Sequence, residues 1–301
     1  MGECWIDGKF VPEEQAAVSI RDLGLLHAAG VFTTLRARGG RPVRLAAHLA
    51  RLRDSCAALS IPLQPADAEL ESVVTQLLER NGLADARLRI TVTRGVAETD
   101  PLHGLVARPT LFMTAVGFEP YPQAYYQKGL TAVLVDDQKL NPFDVQAGHK
   151  TLNYYSRLSA LREAGRRGGG EALWFNVFNM LQSGSISNVF VVKNGRLLTP
   201  PTPQELREGS PHKMTDDKRA ASGVLPGVTR GAILTIAHRE GMAVELAAID
   251  VNLLLDAEEV FVTNSVMGVM PVCRIERHAV GDEKPGELTR RLAALLDESE
   301  A

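Results

Sequence analysis

Pro120 and Pro122 stand one residue apart in Phe118-Glu119-Pro120-Tyr121-Pro122, and each lacks the backbone N–H that a helix interior or a central strand would use. No regular element runs through this point, so a chain of 301 residues is divided there into two parts of domain size. The reading is an N-terminal domain over 1–118, an interdomain linker over 119–123 and a C-terminal domain over 124–301. With 45% hydrophobic and 23% charged residues, global disorder is excluded. The 33 basic and 36 acidic side chains leave a formal charge of -3, which gives no field to draw the chain to nucleic acid or anionic lipid.

Within the first part, Asp7-Gly8 lies between the short apolar runs Trp5-Ile6 and Phe10-Val11, a hairpin signal. Leu45, Leu49, Leu52, Cys56 and Leu59 recur at helical spacing ahead of Pro62. Asp67 is placed to cap a second helix carrying Leu70, Val73, Val74, Leu77 and Leu78 and ending at Asn81-Gly82. Strands follow at Leu88 to Val92 and Leu111 to Val116. In the second part, strands are predicted at Leu130 to Val135, Glu171 to Asn176, Asn188 to Val192, Ala243 to Leu246 and Val260 to Thr263. Helices are predicted at about Asn153 to Ala164, from Gly227 to near Gly241, and from Gly286 to Leu296. Strands beside helices without strict alternation indicate α+β, grading into α/β in the larger part. Gln204 to Gly223 is polar and aperiodic, and reads as a mobile surface loop or, more sharply, a lid.

Cys4, Cys56 and Cys273 match no metal spacing and read as reduced thiols. The acidic start through Glu3, Asp7, Glu13 and Glu14 lacks the pattern of a secretory signal, and no run approaches the ~20 apolar residues of a membrane span, so the expected compartment is the cytoplasm. The usual phosphate-loop, dinucleotide, HExxH and GxSxG signatures are missing from the sequence.

Chemistry therefore gathers around a lysine. Lys150, in Gly148-His149-Lys150-Thr151-Leu152-Asn153-Tyr154, precedes a helix, where desolvation would free its amine for imine formation; a solvated lysine is the alternative. Leu225-Pro226-Gly227-Val228-Thr229-Arg230 places a turn before a helix whose first N–H groups and Thr229 hydroxyl could hold a phosphate, or merely cap the helix. Arg51 could add a forked cation to the same group, or be an ordinary exposed helix arginine.

These segments occur in one order with Val18 to Arg36, His48-Leu49-Ala50-Arg51-Leu52, Thr93-Arg94-Gly95, Ser187-Asn188-Val189-Phe190, Thr199-Pro200 and Glu259-Val260-Phe261-Val262-Thr263. In this order the chain resembles the class IV aminotransferases, the fold type IV pyridoxal-phosphate enzymes that include branched-chain and D-amino-acid aminotransferases and aminodeoxychorismate lyase. The resemblance implies a homodimer of two-domain chains, a smaller α+β and a larger C-terminal domain, with pyridoxal 5'-phosphate as cofactor. It implies that Lys150 forms the Schiff base and then moves protons, and that Arg51, Val228, Thr229, Asn264 and Ser265 hold the phosphate. It further implies that Ser183 faces the ring nitrogen, that Arg94 and Phe32 meet the substrate, and that Thr33 offers a hydroxyl near a departing group.

Two stretches resemble the lyase more than the aminotransferases: Phe32-Thr33-Thr34, and Asn264-Ser265-Val266-Met267 with Met270-Pro271-Val272. A third difference has chemical content. Ser183 stands where the family places a glutamate that keeps the pyridine nitrogen protonated, and a serine can only hydrogen-bond. A less protonated ring is a weaker electron sink, which favours expulsion of a leaving group. The expected activity is therefore elimination of pyruvate from 4-amino-4-deoxychorismate to give 4-aminobenzoate for folate synthesis. The alternatives are an aminotransferase acting on a branched-chain, D-amino or other amine substrate, and a non-catalytic binding protein.

Overall fold

The computed structural model describes residues 2–100 and 104–300. It forms two compact units, one of Met1–Glu119 with His149–Asn153 and the other of Pro120–Gly148 with Tyr154–Ala301. The five-residue stretch around Lys150 thus belongs with the first unit.

The first unit contains β1 (Glu3–Ile6), β2 (Lys9–Pro12), α1 (Leu23–His27), β3 (Gly30–Arg38), β4 (Arg41–Pro42), α2 (Leu45–Ala58), α3 (Asp67–Arg80), β5 (Ala86–Asp100) and β6 (Gly104–Gly117). Its strands make one antiparallel sheet in the order β2-β1-β6-β5-β3-β4. The Asp7-Gly8 hairpin forms as its sequence indicates: Trp5 faces Phe10, and both turn residues take positive φ, 44° and 90°. Register sets the two faces of the sheet. Val31 pairs with Val92, Leu35 with Leu88 and Ala37 with Ala86, and these side chains join the α2 and α3 stripes in one core. The intervening residues, Phe32 and Thr34 of β3 with Arg89 and Thr91 of β5, point to the other face. Asp67 is the first helical residue of α3, with Ala66 in the cap position; its carboxylate pairs with Arg53 instead of capping.

The second unit contains α4 (Gln123–Lys128), β7 (Leu130–Leu134), α5 (Tyr155–Arg166), β8 (Glu171–Phe175), β9 (Leu181–Gly184), β10 (Asn188–Lys193), β11 (Arg196–Thr199), α6 (Pro203–Glu208), β12 (Lys213–Met214), α7 (Val228–Arg239), β13 (Val244–Leu246), α8 (Val251–Leu255), β14 (Glu259–Asn264), β15 (Gly268–Ile275), β16 (His278–Ala279) and α9 (Glu287–Glu298). They build a mixed sheet in the order β12-β13-β11-β10-β14-β15-β7-β8-β9, with β16 beside β15. Alternation along β14 splits its side chains. Val260 and Val262 enter one core, while Phe261 stacks on Phe190, centroids 4.9 Å apart, in the core beneath α7 and α9. A smaller cluster of Val133, Ala172 and Trp174 packs against Ala160 and Ala164 of α5.

The stretch 204–223 is more ordered than a structureless loop. Thr202 and Glu205 form a capping box that starts α6, and β12 pairs with β13. Glu205 also takes the guanidinium of Arg230, itself 3% exposed, and that pair holds the segment to α7. A buried ion pair of this kind ties the segment down where composition alone reads as loop.

Candidate active site

In the first unit, Lys150 is held by the edge of β3. Phe32 N–H donates to Lys150 O at 2.9 Å, Leu152 N–H donates to Gly30 O at 2.9 Å, and Thr151 bridges Val31. The backbone is fixed on both sides of the lysine, and its amine lies 4.6 Å from the Phe32 ring centroid. Arg89 lies against the same ring at 3.6 Å, so Phe32 presents its aromatic system to two cations.

On the helix-covered face, Thr33 is fully buried. Arg51 Nη2 donates to Thr33 Oγ1 at 2.9 Å, and the same hydroxyl lies 2.7 Å from His48 Nδ1. Arginine only donates, so Thr33 accepts from Arg51 and keeps its O–H to donate to Nδ1 in the tautomer that carries the histidine proton on Nε2. Burial first, then the charges of Arg51, Lys150 and Arg44, push His48 down to about 3, and it stays neutral. The Thr33 hydroxyl, given by the resemblance as lying near a departing group, is bonded to Arg51 and His48 in the structure.

Arg94 sits on a β-bulge, where register shifts between Thr93 and Val96. Gly95 takes φ 74° there, and a Cβ at that position would fall 1.5 Å from Arg108 O. The bulge turns Arg94 out of the ladder, and its Nε is buried with no hydrogen-bond partner among the described residues.

In the second unit, Gly227 caps α7 without a side-chain bond, and the first intrahelical bond runs from Gly231 N–H to Gly227 O at 2.9 Å. The N–H groups of Val228, Thr229 and Arg230 have no partner inside the helix. Thr229 Oγ1 lies 3.4 Å from Ser265 Oγ, so the two hydroxyls adjoin at the positive end of α7. Ser265 is positioned by the turn before it: Asn264 Oδ1 accepts from the N–H groups of Val266 and Met267 at 2.9 and 2.8 Å. Nearby Asn188, directly opposite Thr263 in the sheet, lies so close to Gly227 that a Cβ there would come within 1.9 Å of Asn188 Oδ1. Thr263 Oγ1 is buried and without a partner among the described residues. Two hydroxyls and the N–H groups of a helix start, which have no partner inside the helix, make a donor set suited to a phosphate.

Ser183, 6% exposed, lies in β9 opposite Trp174 of β8. Arg157 of α5 reaches it, Nη1 donating to Ser183 Oγ at 3.2 Å and to Gly184 O at 3.0 Å. Glu171, 1% exposed, accepts from Ser187 Oγ at 2.6 Å and from the N–H groups of Ala172 and Ser185, both at 2.9 Å. Burial pushes the Glu171 carboxyl up against those donors.

His48, Arg89, Arg157 and Glu171 are the members that the sequence reading leaves out. His48 opens the stretch His48-Leu49-Ala50-Arg51-Leu52, yet no spacing there marks the histidine as functional. Arg157 had a signal: with Ala160 and Ala164 it falls at helical spacing on the inward stripe of α5.

A family model for class IV aminotransferases, described as "Amino-transferase class IV", matches residues 30–275. The chain belongs to that family. It is 32% identical over 289 residues to a protein of Methanocaldococcus jannaschii provisionally named a branched-chain-amino-acid aminotransferase, covering 96% of this chain and 93% of the relative. The D-alanine aminotransferase of Bacillus licheniformis is 29% identical, covering 97% of this chain and 95% of its own. The aminodeoxychorismate lyase of Bacillus subtilis is 26% identical, covering 97% and 92%. Among solved structures, the Escherichia coli branched-chain amino acid aminotransferase superposes with a TM-score of 0.87 at 24% identity, over 100% of this chain and 95% of its own, a likeness of fold. The two aminotransferases, at 32% and 29%, are thus more similar to the chain than this lyase, at 26%, despite the lyase-like stretches at Phe32 and Met267. Class IV aminotransferases depend on pyridoxal phosphate, and the donor set at α7 fits its phosphate. Among the described residues no helix is long and apolar enough to cross a membrane, and no cluster of three or more His, Cys, Asp or Glu could hold a metal ion.

Proposed function

We propose that the protein is a pyridoxal-phosphate-dependent aminotransferase that moves an amino group between an amino acid, of the branched-chain or D-amino class, and a 2-oxo acid. The observation that carries this reading is Lys150, fixed by backbone bonds on both sides to β3 and carried by a chain matched to the class IV family over residues 30–275. When bound, the cofactor supplies the electron sink that acidifies the hydrogen next to the substrate amine. Lys150 would hold the cofactor through its amine, and the same amine would take that proton and return it. Val228, Thr229 and Ser265, with Asn264 shaping the turn, would receive the phosphate, and Arg51, which Thr33 holds, is the cation that the resemblance assigns to it. Arg94 meets the substrate carboxylate with its unpaired Nε, and Phe32 lines the same unit's face. Assembly as a homodimer is part of the reading.

A second reading, the 4-amino-4-deoxychorismate lyase, is favoured by one observation: Ser183 with Arg157 gives the ring nitrogen no carboxylate. The decisive experiment loads the purified protein with pyridoxal phosphate, reduces it with borohydride and maps the adduct by mass spectrometry. An adduct on Lys150 is expected, followed by sustained amino transfer from branched-chain or D-amino donors to 2-oxoglutarate or pyruvate. Absence of an adduct at Lys150 defeats the cofactor reading. Formation of 4-aminobenzoate and pyruvate from aminodeoxychorismate, without amino transfer, replaces the first reading by the second.

A further inference from the structure

The family's ring-nitrogen carboxylate is missing at Ser183, and the arrangement behind this serine shows what takes its place. Trp174 and Ser183 are direct partners across β8 and β9, so their side chains share one face of the sheet. Arg157 lies over that face, its guanidinium carbon 5.7 Å from the Trp174 ring centroid and its Nη1 on Ser183 Oγ at 3.2 Å. The other acceptors of Nη1 are backbone carbonyls, Gly184 O at 3.0 Å and Ser185 O at 3.5 Å. No carboxylate forms an ion pair with Arg157 among the described residues. The acid nearest in the fold, Glu171, has its oxygens committed to Ser187, Ala172 and Ser185, and it packs under Gly184, where an added Cβ would meet the Glu171 carboxylate at 2.6 Å. It cannot stand in for the missing glutamate without breaking the turn it holds.

These contacts fix the sense of the hydrogen bonds. A guanidinium has donors only, so Ser183 Oγ accepts from Arg157 and keeps its own proton for another acceptor. We propose that Arg157 and Ser183 together hold the pyridine nitrogen of the cofactor in its unprotonated form, with Ser183 donating to the nitrogen lone pair and Arg157 acting through Ser183 as a positioning residue. The proposal rests on the cofactor reading above. A protonated nitrogen would turn its N–H toward an oxygen that already accepts from a cation, and would set two like charges across one hydroxyl in a partly desolvated place. Burial does lower the proton affinity of Arg157, while Tyr154 and Glu171 raise it, but a guanidinium starts so high that it stays charged. A neutral ring withdraws electrons less strongly, so negative charge stays nearer the substrate carbon.

The test is heteronuclear NMR of the holoenzyme loaded with pyridoxal phosphate isotopically labelled at the ring nitrogen. The expected resonance is that of an unprotonated pyridine throughout the pH range in which the protein is folded. A protonated resonance in the holoenzyme overturns the proposal while leaving the cofactor reading intact. Failure of the borohydride adduct at Lys150, measured on the same sample, defeats the cofactor reading itself. Two variants separate the residues. Ser183→Glu should move the resonance to the protonated position. Arg157→Met should let the nitrogen take up a proton at the acid end of that same pH range, a rise in proton affinity of at least about tenfold. An Arg157→Met resonance that stays unprotonated throughout the range, as in the wild type, removes Arg157 from the proposal. Should either variant fail to fold, the wild-type spectrum alone still decides the protonation state.

Discussion

Thr33 and His48 share a hydrogen bond of 2.7 Å inside the first unit, and the histidine in that pair is one that water barely reaches. His48 is pushed down to about 3, by burial before all else. In the unfolded chain it would take a proton near pH 6.5. Between those values the unfolded chain holds one proton more than the folded chain, so stability rises with pH. It is complete above about pH 6.5 and falls by about 1.4 kcal/mol for each unit of acidification below it. Urea unfolding at about pH 6.5 and about pH 5 should show a loss of about 2 kcal/mol from this group. His48→Gln should show a correspondingly flatter dependence, and an unchanged slope would remove His48 as its source.

Replacing the threonine separates its two duties. Thr33→Val removes the hydroxyl that Arg51 Nη2 and His48 Nδ1 share, at a cost of about 1–3 kcal/mol. Cofactor affinity should fall with it, because Arg51 loses its fixed direction. Thr33→Ser restores the hydroxyl and should recover most of both, measured as denaturant midpoint and as pyridoxal-phosphate dissociation constant.

Two glycines at the start of α7 should respond in opposite ways. A Cβ at Gly227 would lie 1.9 Å from Asn188 Oδ1, whereas one at Gly231 meets nothing within 4 Å. Gly227→Ala should displace the helix start and weaken cofactor binding at least about tenfold, or about 1.4 kcal/mol. Gly231→Ala should bind as the wild type and gain up to about 1 kcal/mol of stability from helix propensity. Equal binding by both variants would place the phosphate elsewhere.

Arg94 has a buried Nε with no partner among the described residues. A charge-assisted bond to a substrate carboxylate contributes about 1.5–3 kcal/mol. Arg94→Gln should accordingly raise KM for an amino-acid donor by roughly ten- to a hundredfold. An amine donor lacking the carboxylate should be unaffected, and steady-state kinetics with the two donors check it.

Much of the fold was readable because periodicity reports burial directly. The α2 and α3 stripes, the β1–β2 hairpin and the β14 strand all follow from the spacing of apolar residues. β15 was not readable, since Pro271 argues against a strand; it is tolerated just ahead of Val272, where pairing with β7 begins. The segment after Pro203 was misread as loop because its order comes from Thr202, Glu205 and Arg230, contacts that span 28 residues and leave no local period. At the candidate site, the residues found by resemblance were those inside linear motifs. Arg157 and His48 act through partners distant in sequence, Ser183 and Thr33, and only the folded chain brings these together.

The peptide His149–Asn153 is grouped with the sheet of the first unit although the chain on either side of it belongs to the second. Cutting the gene at residue 119 would therefore give two fragments that are each deficient in a different way. The shorter would keep a β3 margin without its complement, and the longer would carry Lys150 with nothing to set the height or direction of its amine. Loss of either fragment's partner should disarm the chemistry before it disturbs the remaining core.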